Sequence, residues 1–108
     1  MERIYFTIPG TGHYYGNEPF ARGQKVYLYK EPENPFDSEA IRVELPGLGK
    51  VGYVANSVNT RIGESWSAGR LFDKISDGTV GIVRYVLQGG VVCSLKSKSL
   101  LNDTENED

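Results

Sequence analysis

Apolar and polar residues alternate with a period of two in six runs along this chain. Ile4, Phe6 and Ile8 are interleaved with Tyr5 and Thr7 until Pro9-Gly10 ends the run. Residues 25–30 (KVYLYK) and 40–45 (AIRVEL) repeat the pattern, and 46–49 (PGLG) reads as a tight loop from which 50–54 (KVGYV) returns. Residues 79–87 (TVGIVRYVL) and 91–95 (VVCSL) form a last hairpin across Gln88-Gly89-Gly90. Period-two runs bounded by Gly and Pro are the mark of half-buried antiparallel strands. The one region with a helical pattern is 56–75. There Asn56 is placed to cap a helix over 57–63, with Val58 and Ile62 on one face. Leu71, Phe72 and Ile75 stripe a second helix over 70–75 that ends at Asp77-Gly78. The expected fold is mainly β, a compact six-stranded barrel-like domain with two short helices inserted between the fourth and fifth strands.

Composition narrows the function. At 108 residues the chain is one domain by length, taken as 1–98, with an acidic tail over 99–108. The net charge of −2 misleads, because four of the 14 acids (Asp103, Glu105, Glu107, Asp108) lie in that tail and leave 12 bases against 10 acids. So balanced a body does not announce nucleic-acid binding by charge alone. The single cysteine, Cys93, excludes an internal disulfide and fits a small buried hydrophobe in a reducing cytoplasm. No apolar run approaches the roughly 20 residues of a membrane helix, and 1–10 lacks the shape of a signal peptide. A cytoplasmic location with no membrane partner is expected.

Catalytic motifs are scarce. Every histidine-dependent arrangement must pass through His13, the one His of the chain, and the glycines at 10, 12 and 16 do not open a helix as a dinucleotide loop would. Asp37, Asp73, Asp77 and His13 could in principle gather around a magnesium ion, as a nuclease requires, but their spacing implies no convergence. No metal ligand and no cofactor are expected. Aromatics are plentiful, with seven Tyr and four Phe. On the strands they serve as amphipathic cover for a solvated face; the alternative is a stacking platform for unpaired bases.

The loop 31–37 (EPENPFD) carries the sharper question. Two prolines bracket Asn34, and Phe36 and Asp37 follow at once. As a turn, Phe36 anchors it and Asp37 bonds the backbone two residues on. As a platform, the prolines hold side chains against a ligand.

The stretches FTIPGTGHYYG (6–16), EPENPFDSEAIRV (31–43) and KVGYV (50–54) together resemble the HIRAN domain, and SAGRLFDKI (67–75) resembles the helical segment of its short bacterial members. The likeness covers about Ile4 to Leu95. It implies a barrel related to the OB-fold and a binding function without chemistry. In eukaryotic fork-remodelling translocases, and so in DNA repair, this domain captures the 3′ end of single-stranded DNA. By motif position, Tyr14 and Tyr15 match the aromatic pair at the terminal nucleotides. Asn34, Phe36 and Asp37 match the pocket for the terminal sugar and base, with Tyr53 and Tyr85 as further ring contacts. Asp37 would accept a hydrogen bond from a free 3′-hydroxyl and repel a phosphate.

The chain also departs from the DNA-binding members. His13 stands where a stronger base precedes the tyrosine pair, Tyr53 and Asn56 stand where those members carry His and Lys, and Glu33 replaces an amide. Each change weakens phosphate contact; Lys30, Arg84 and Lys96 are the candidates to compensate. Two rival functions stand beside DNA-end binding: a protein-interaction module that keeps the fold without binding DNA, and a metal-dependent nuclease.

Overall fold

The computed structural model describes residues 3–101, so 102–108 of the expected tail over 99–108 lie outside the described residues. Six strands form one antiparallel sheet: β1 (Arg3–Ile8), β2 (Lys25–Glu31), β3 (Ala40–Leu45), β4 (Gly49–Tyr53), β5 (Thr79–Leu87) and β6 (Gly90–Lys96). Their spatial order is β1-β6-β5-β2-β3-β4. Each alternating run of the sequence is a strand, displaced by at most a residue or two at its ends.

The sheet curls without closing as a ladder. β1 and β4 stand at its two ends, and the chain beyond β4 reaches β1 through single bonds: Ala55 N–H donates to Thr7 O at 2.8 Å and Trp66 N–H to Tyr5 O at 2.7 Å. The expected six-stranded barrel is therefore an open, curled sheet among the described residues. Its concave side holds Phe6, Ile8, Val26, Leu28, Ile41, Val43, Val51, Val83 and Val91, each essentially inaccessible to water. Cys93 is buried with them, and burial pushes its thiol up to about 12.

Only one α-helix forms among the described residues, α1 (Ala68–Phe72), which seats Ala68 and Leu71 in the core. Ser67 caps it, its Oγ accepting from Arg70 N–H at 3.2 Å. The helix expected over 57–63 is a single turn. Ser57 Oγ takes Asn59 N–H at 3.0 Å, and Arg61 N–H reaches Ser57 O at 3.1 Å. The ladder then stops because Ile62 N–H donates at 3.0 Å to the Thr7 hydroxyl on β1. That hydroxyl, itself bonded to Ser65 Oγ at 2.8 Å, recruits the segment for the sheet. Val58 is accordingly left 73% exposed.

The ladder slips at two places. One lies between Val43 and Glu44, leaving Val51 of β4 without a partner. The other lies between Val83 and Tyr85 and makes Arg84 the extra residue of β5. A bulge breaks the alternation of the strand it bends. Beyond it Tyr85, Val86 and Leu87 are all exposed.

Gly81 faces Phe6: a Cβ there would lie 2.8 Å from Cζ and 2.9 Å from Cε2 of that ring. Gly81→Ala is expected to lower stability by about 1–3 kcal/mol, the usual range for overpacking a filled core. Gly89→Ala, where a Cβ meets nothing within 4 Å, is the control and should stay within about 0.5 kcal/mol. Denaturant unfolding measures both, and equal losses would contradict this packing.

Candidate functional site

Strand register assembles the site. Tyr29, Arg42 and Tyr53 face one another across β2, β3 and β4, and the Arg42 guanidinium lies 5.0 Å from the Tyr29 ring centroid. Glu31, at the end of β2, is the acceptor for everything around it. Its Oε1 accepts from Asn34 Nδ2 at 2.9 Å and from the Tyr53 hydroxyl at 2.8 Å. Its Oε2 accepts from Arg42 Nη1 at 3.0 Å. Arg42 Nε turns the other way, to Glu44 Oε2 at 2.7 Å. The Tyr53 oxygen in turn accepts from Lys50 Nζ at 3.0 Å.

These contacts set the ionisation of the group. Burial opposes the charge on Glu31, but the hydrogen bonds from Asn34, Arg42 and Tyr53, with the Arg42 charge, outweigh it and hold the carboxyl below its ordinary value. Burial likewise opposes the Arg42 charge and is outweighed by hydrogen bonds to Glu31 and Glu44. The hydrogen bond to Tyr53 raises Lys50. The Tyr53 phenol is raised by burial first and by the neighbouring Glu31 as well.

The proline loop is built by Asn34. Its Oδ1 accepts from the backbone N–H of Phe36 at 2.8 Å and of Asp37 at 3.2 Å, so this carbonyl shapes the turn. Asp37 continues the design: Oδ1 accepts from Glu39 N–H at 2.9 Å and Oδ2 from Asn56 Nδ2 at 3.0 Å. Asn56 Oδ1 then accepts from Gly69 N–H at 2.7 Å, in the first turn of α1. The loop is thereby tied to the core at both ends. The Phe36 side chain takes no part in this and is 95% exposed at the loop's apex.

Two adjoining cavities open here. The larger, about 810 Å³, is walled by Tyr14, Asn34, Phe36, Asp37, Arg42, Lys50 and Tyr53, with the prolines at its rim. The smaller, about 500 Å³, is lined by His13, Asn56, Ser57 and Thr60. Tyr14, Asp37, Tyr53 and Val54 border both. The Tyr14 and Tyr53 rings stand 6.4 Å apart at 58°.

Of the residues expected at a site, His13, Tyr14, Asn34, Phe36, Asp37, Tyr53 and Asn56 are thus gathered. Tyr15 and Tyr85 lie outside both cavities, each 53% exposed. Glu31, Arg42 and Lys50 were not among the expected residues. The strand pattern puts Arg42 on the same outward face as Glu44, but its place opposite Tyr53 comes from the register of β3 and β4. Two basic residues named as compensation point elsewhere: Lys30 Nζ sits 5.3 Å from the Phe72 ring centroid, and Arg84 Nε donates to Ser94 Oγ at 2.8 Å. Among the described residues no group of three or more His, Cys, Asp and Glu side chains gathers to hold a metal.

The fold and the cleft define a small antiparallel β-domain with an aromatic- and carboxylate-walled recess at the β2–β3–β4 end of its sheet. The chain belongs to the HIRAN domain family, whose model matches residues 1–87. The crystal structure of the HIRAN domain of human HLTF superposes with a TM-score of 0.58, covering 85% of this chain and 73% of that one at 19% identity, a likeness that shows the fold. None of the curated proteins compared with the chain matches it.

Because the Glu31 carboxyl is held below its ordinary value of 4.5, its contribution to stability is fully present above that value. It is lost as the pH falls through the lowered value of the folded state. The stability gap between the wild type and Glu31→Gln is therefore expected to be largest near neutral pH and to shrink through the acid range. Urea unfolding at a series of pH values reads this directly; a gap independent of pH would refute it.

Proposed function

We propose that the domain binds single-stranded DNA at a free 3′ end and performs no chemistry on it. The observation that carries this reading is Phe36: a large apolar ring, 95% exposed, on a loop that the side chains of Glu31, Asn34 and Asp37 hold in place. A ring that contributes nothing to the core and sits on a rigid support beside Tyr14 and Tyr53 is placed to stack a base. Asp37 borders the same recess, and two donors already occupy its carboxylate. Each carboxylate oxygen has a second lone pair, so a sugar hydroxyl can still donate to it. A terminal phosphate offers no such donor and adds repulsion. The HIRAN resemblance carries the same expectation.

One observation favours a second reading. The lining of the larger cavity has three carboxylates, Glu31, Glu33 and Asp37, against the two cations Arg42 and Lys50. Such a surface also suits a basic peptide, in line with a protein-interaction module.

Fluorescence anisotropy with a short single strand ending in a 3′-hydroxyl or a 3′-phosphate separates the two. The hydroxyl strand is expected to bind better. Phe36→Ala, which disturbs no packing, should weaken it roughly 5- to 150-fold, the equivalent of about 1–3 kcal/mol for a lost stacking contact. Asp37→Asn keeps an acceptor for Glu39 N–H and should reduce the preference for the hydroxyl end. Failure of the wild type to bind either strand at low salt would reject the DNA reading in favour of the peptide.

A further inference from the structure

Lys50 occupies a position that neither the turn nor the end-reading pocket explains. It is exposed on β4, and its ammonium lies 5.5 Å from the Tyr14 ring centroid and 5.0 Å from that of Tyr53, the two rings that border both cavities. It donates to the Tyr53 hydroxyl, and among the described residues it has no carboxylate partner. Arg42, the other cation of the lining, is already shared between Glu31 and Glu44. An ammonium has three N–H donors, so two of those on Lys50 remain to be used.

We propose that Lys50 is the phosphate ligand of the cleft, binding the phosphodiester of the nucleotide that stacks at Tyr14 and Tyr53. The inference rests on the nucleic-acid reading above. On binding, the ammonium exchanges part of its contact with the ring faces for a charge-assisted hydrogen bond to a phosphate oxygen, which is the stronger interaction. The bond that Lys50 donates to the Glu31-held Tyr53 hydroxyl keeps the long, flexible side chain at the mouth of the recess beforehand. A single positive point between two stacking rings reads the backbone of one nucleotide. It thereby supplies locally the charge that His13, Tyr53 and Asn56 do not.

The test is the salt dependence of binding. For a short 3′-hydroxyl strand, Lys50→Met is expected to weaken affinity and to lower the slope of log K against log salt by ~0.7, the value for one phosphate contact on a single strand. Lys50→Arg should keep the slope. A lysine that only props the Tyr53 ring would, when replaced, weaken binding equally at every salt concentration, and an unchanged slope in Lys50→Met overturns the proposal while leaving the DNA reading intact. A second measurement uses the unaltered protein. An uncharged methylphosphonate is placed at each linkage near the 3′ end in turn; one position should weaken binding to the wild type and have no further effect on Lys50→Met. If no position does so, the proposal fails. If the wild type binds no strand at all, the DNA reading fails first and takes this inference with it.

Discussion

The carboxylate of Glu31 is the constraint on which the cleft depends. It stands at the junction of a strand and a proline loop, and its side chain keeps only 19% of its exposure. A carboxylate so placed loses hydration, and that loss is offset only if donors replace the water. Three do: Asn34 from the loop, Arg42 from β3 and Tyr53 from β4. One charge thus binds three separate pieces of chain into a single geometry. Hydrogen bonds to an ionised acceptor are about twice as strong as neutral ones, so the arrangement is stiff where a purely apolar contact would slide. Lys50 is joined to it at one remove, through the oxygen of Tyr53.

The loop beyond Glu31 extends the same logic. Prolines at 32 and 35 limit the backbone, Asn34 supplies the acceptor that two consecutive N–H groups need, and Asp37 passes the connection through Asn56 to α1. Because α1 is anchored by Ala68 and Leu71 in the core, the cleft's far wall moves only if the core does. A pre-ordered wall lowers the entropy lost on binding. Phe36 can therefore be fully exposed without being floppy, a combination that a loop held only by its own turn would not achieve.

Much of this was legible in the sequence, and the exceptions have causes. The strands were legible because each has one face toward the core and one toward water, so residue type reports side. The turn over 34–39 was legible because Asn34 and Asp37 bond backbone groups two or three residues on. What failed was tertiary. Residues 57–63 have a helical pattern, but the hydroxyl of Thr7, some fifty residues earlier in the chain, captures the amide that a second turn would need. Tyr85 reads as a regular strand position, yet the bulge at Arg84 re-aims it, and no local pattern announces a bulge between Val83 and Tyr85. The Glu31–Arg42–Tyr53 cluster needed the register of three strands, which emerges only once the pairing is known.

The charge of the cleft bears on what kind of selectivity it can have. Long-range attraction to a polyanion grows with the number of unpaired cations and takes little account of where along the strand the protein lands. A lining in which carboxylates outnumber cations, with Arg42 neutralised in place, gives little of that attraction. On the proposed reading, internal positions of a strand, with a phosphate on both sides of every sugar, would be repelled by Asp37 and gain little elsewhere. A terminal nucleotide is different, because its 3′ side ends in a hydroxyl that can donate. On the proposed reading, a weakly basic site is therefore the better end-reader: what it loses in affinity for the whole strand it loses mostly at internal positions. On that reading, stacking on Phe36, Tyr14 and Tyr53 carries most of the binding that remains and is nearly independent of salt, with one phosphate contact at Lys50 added to it. The departures from a basic surface at His13, Glu33 and Asn56 then act together as a filter against the body of the strand.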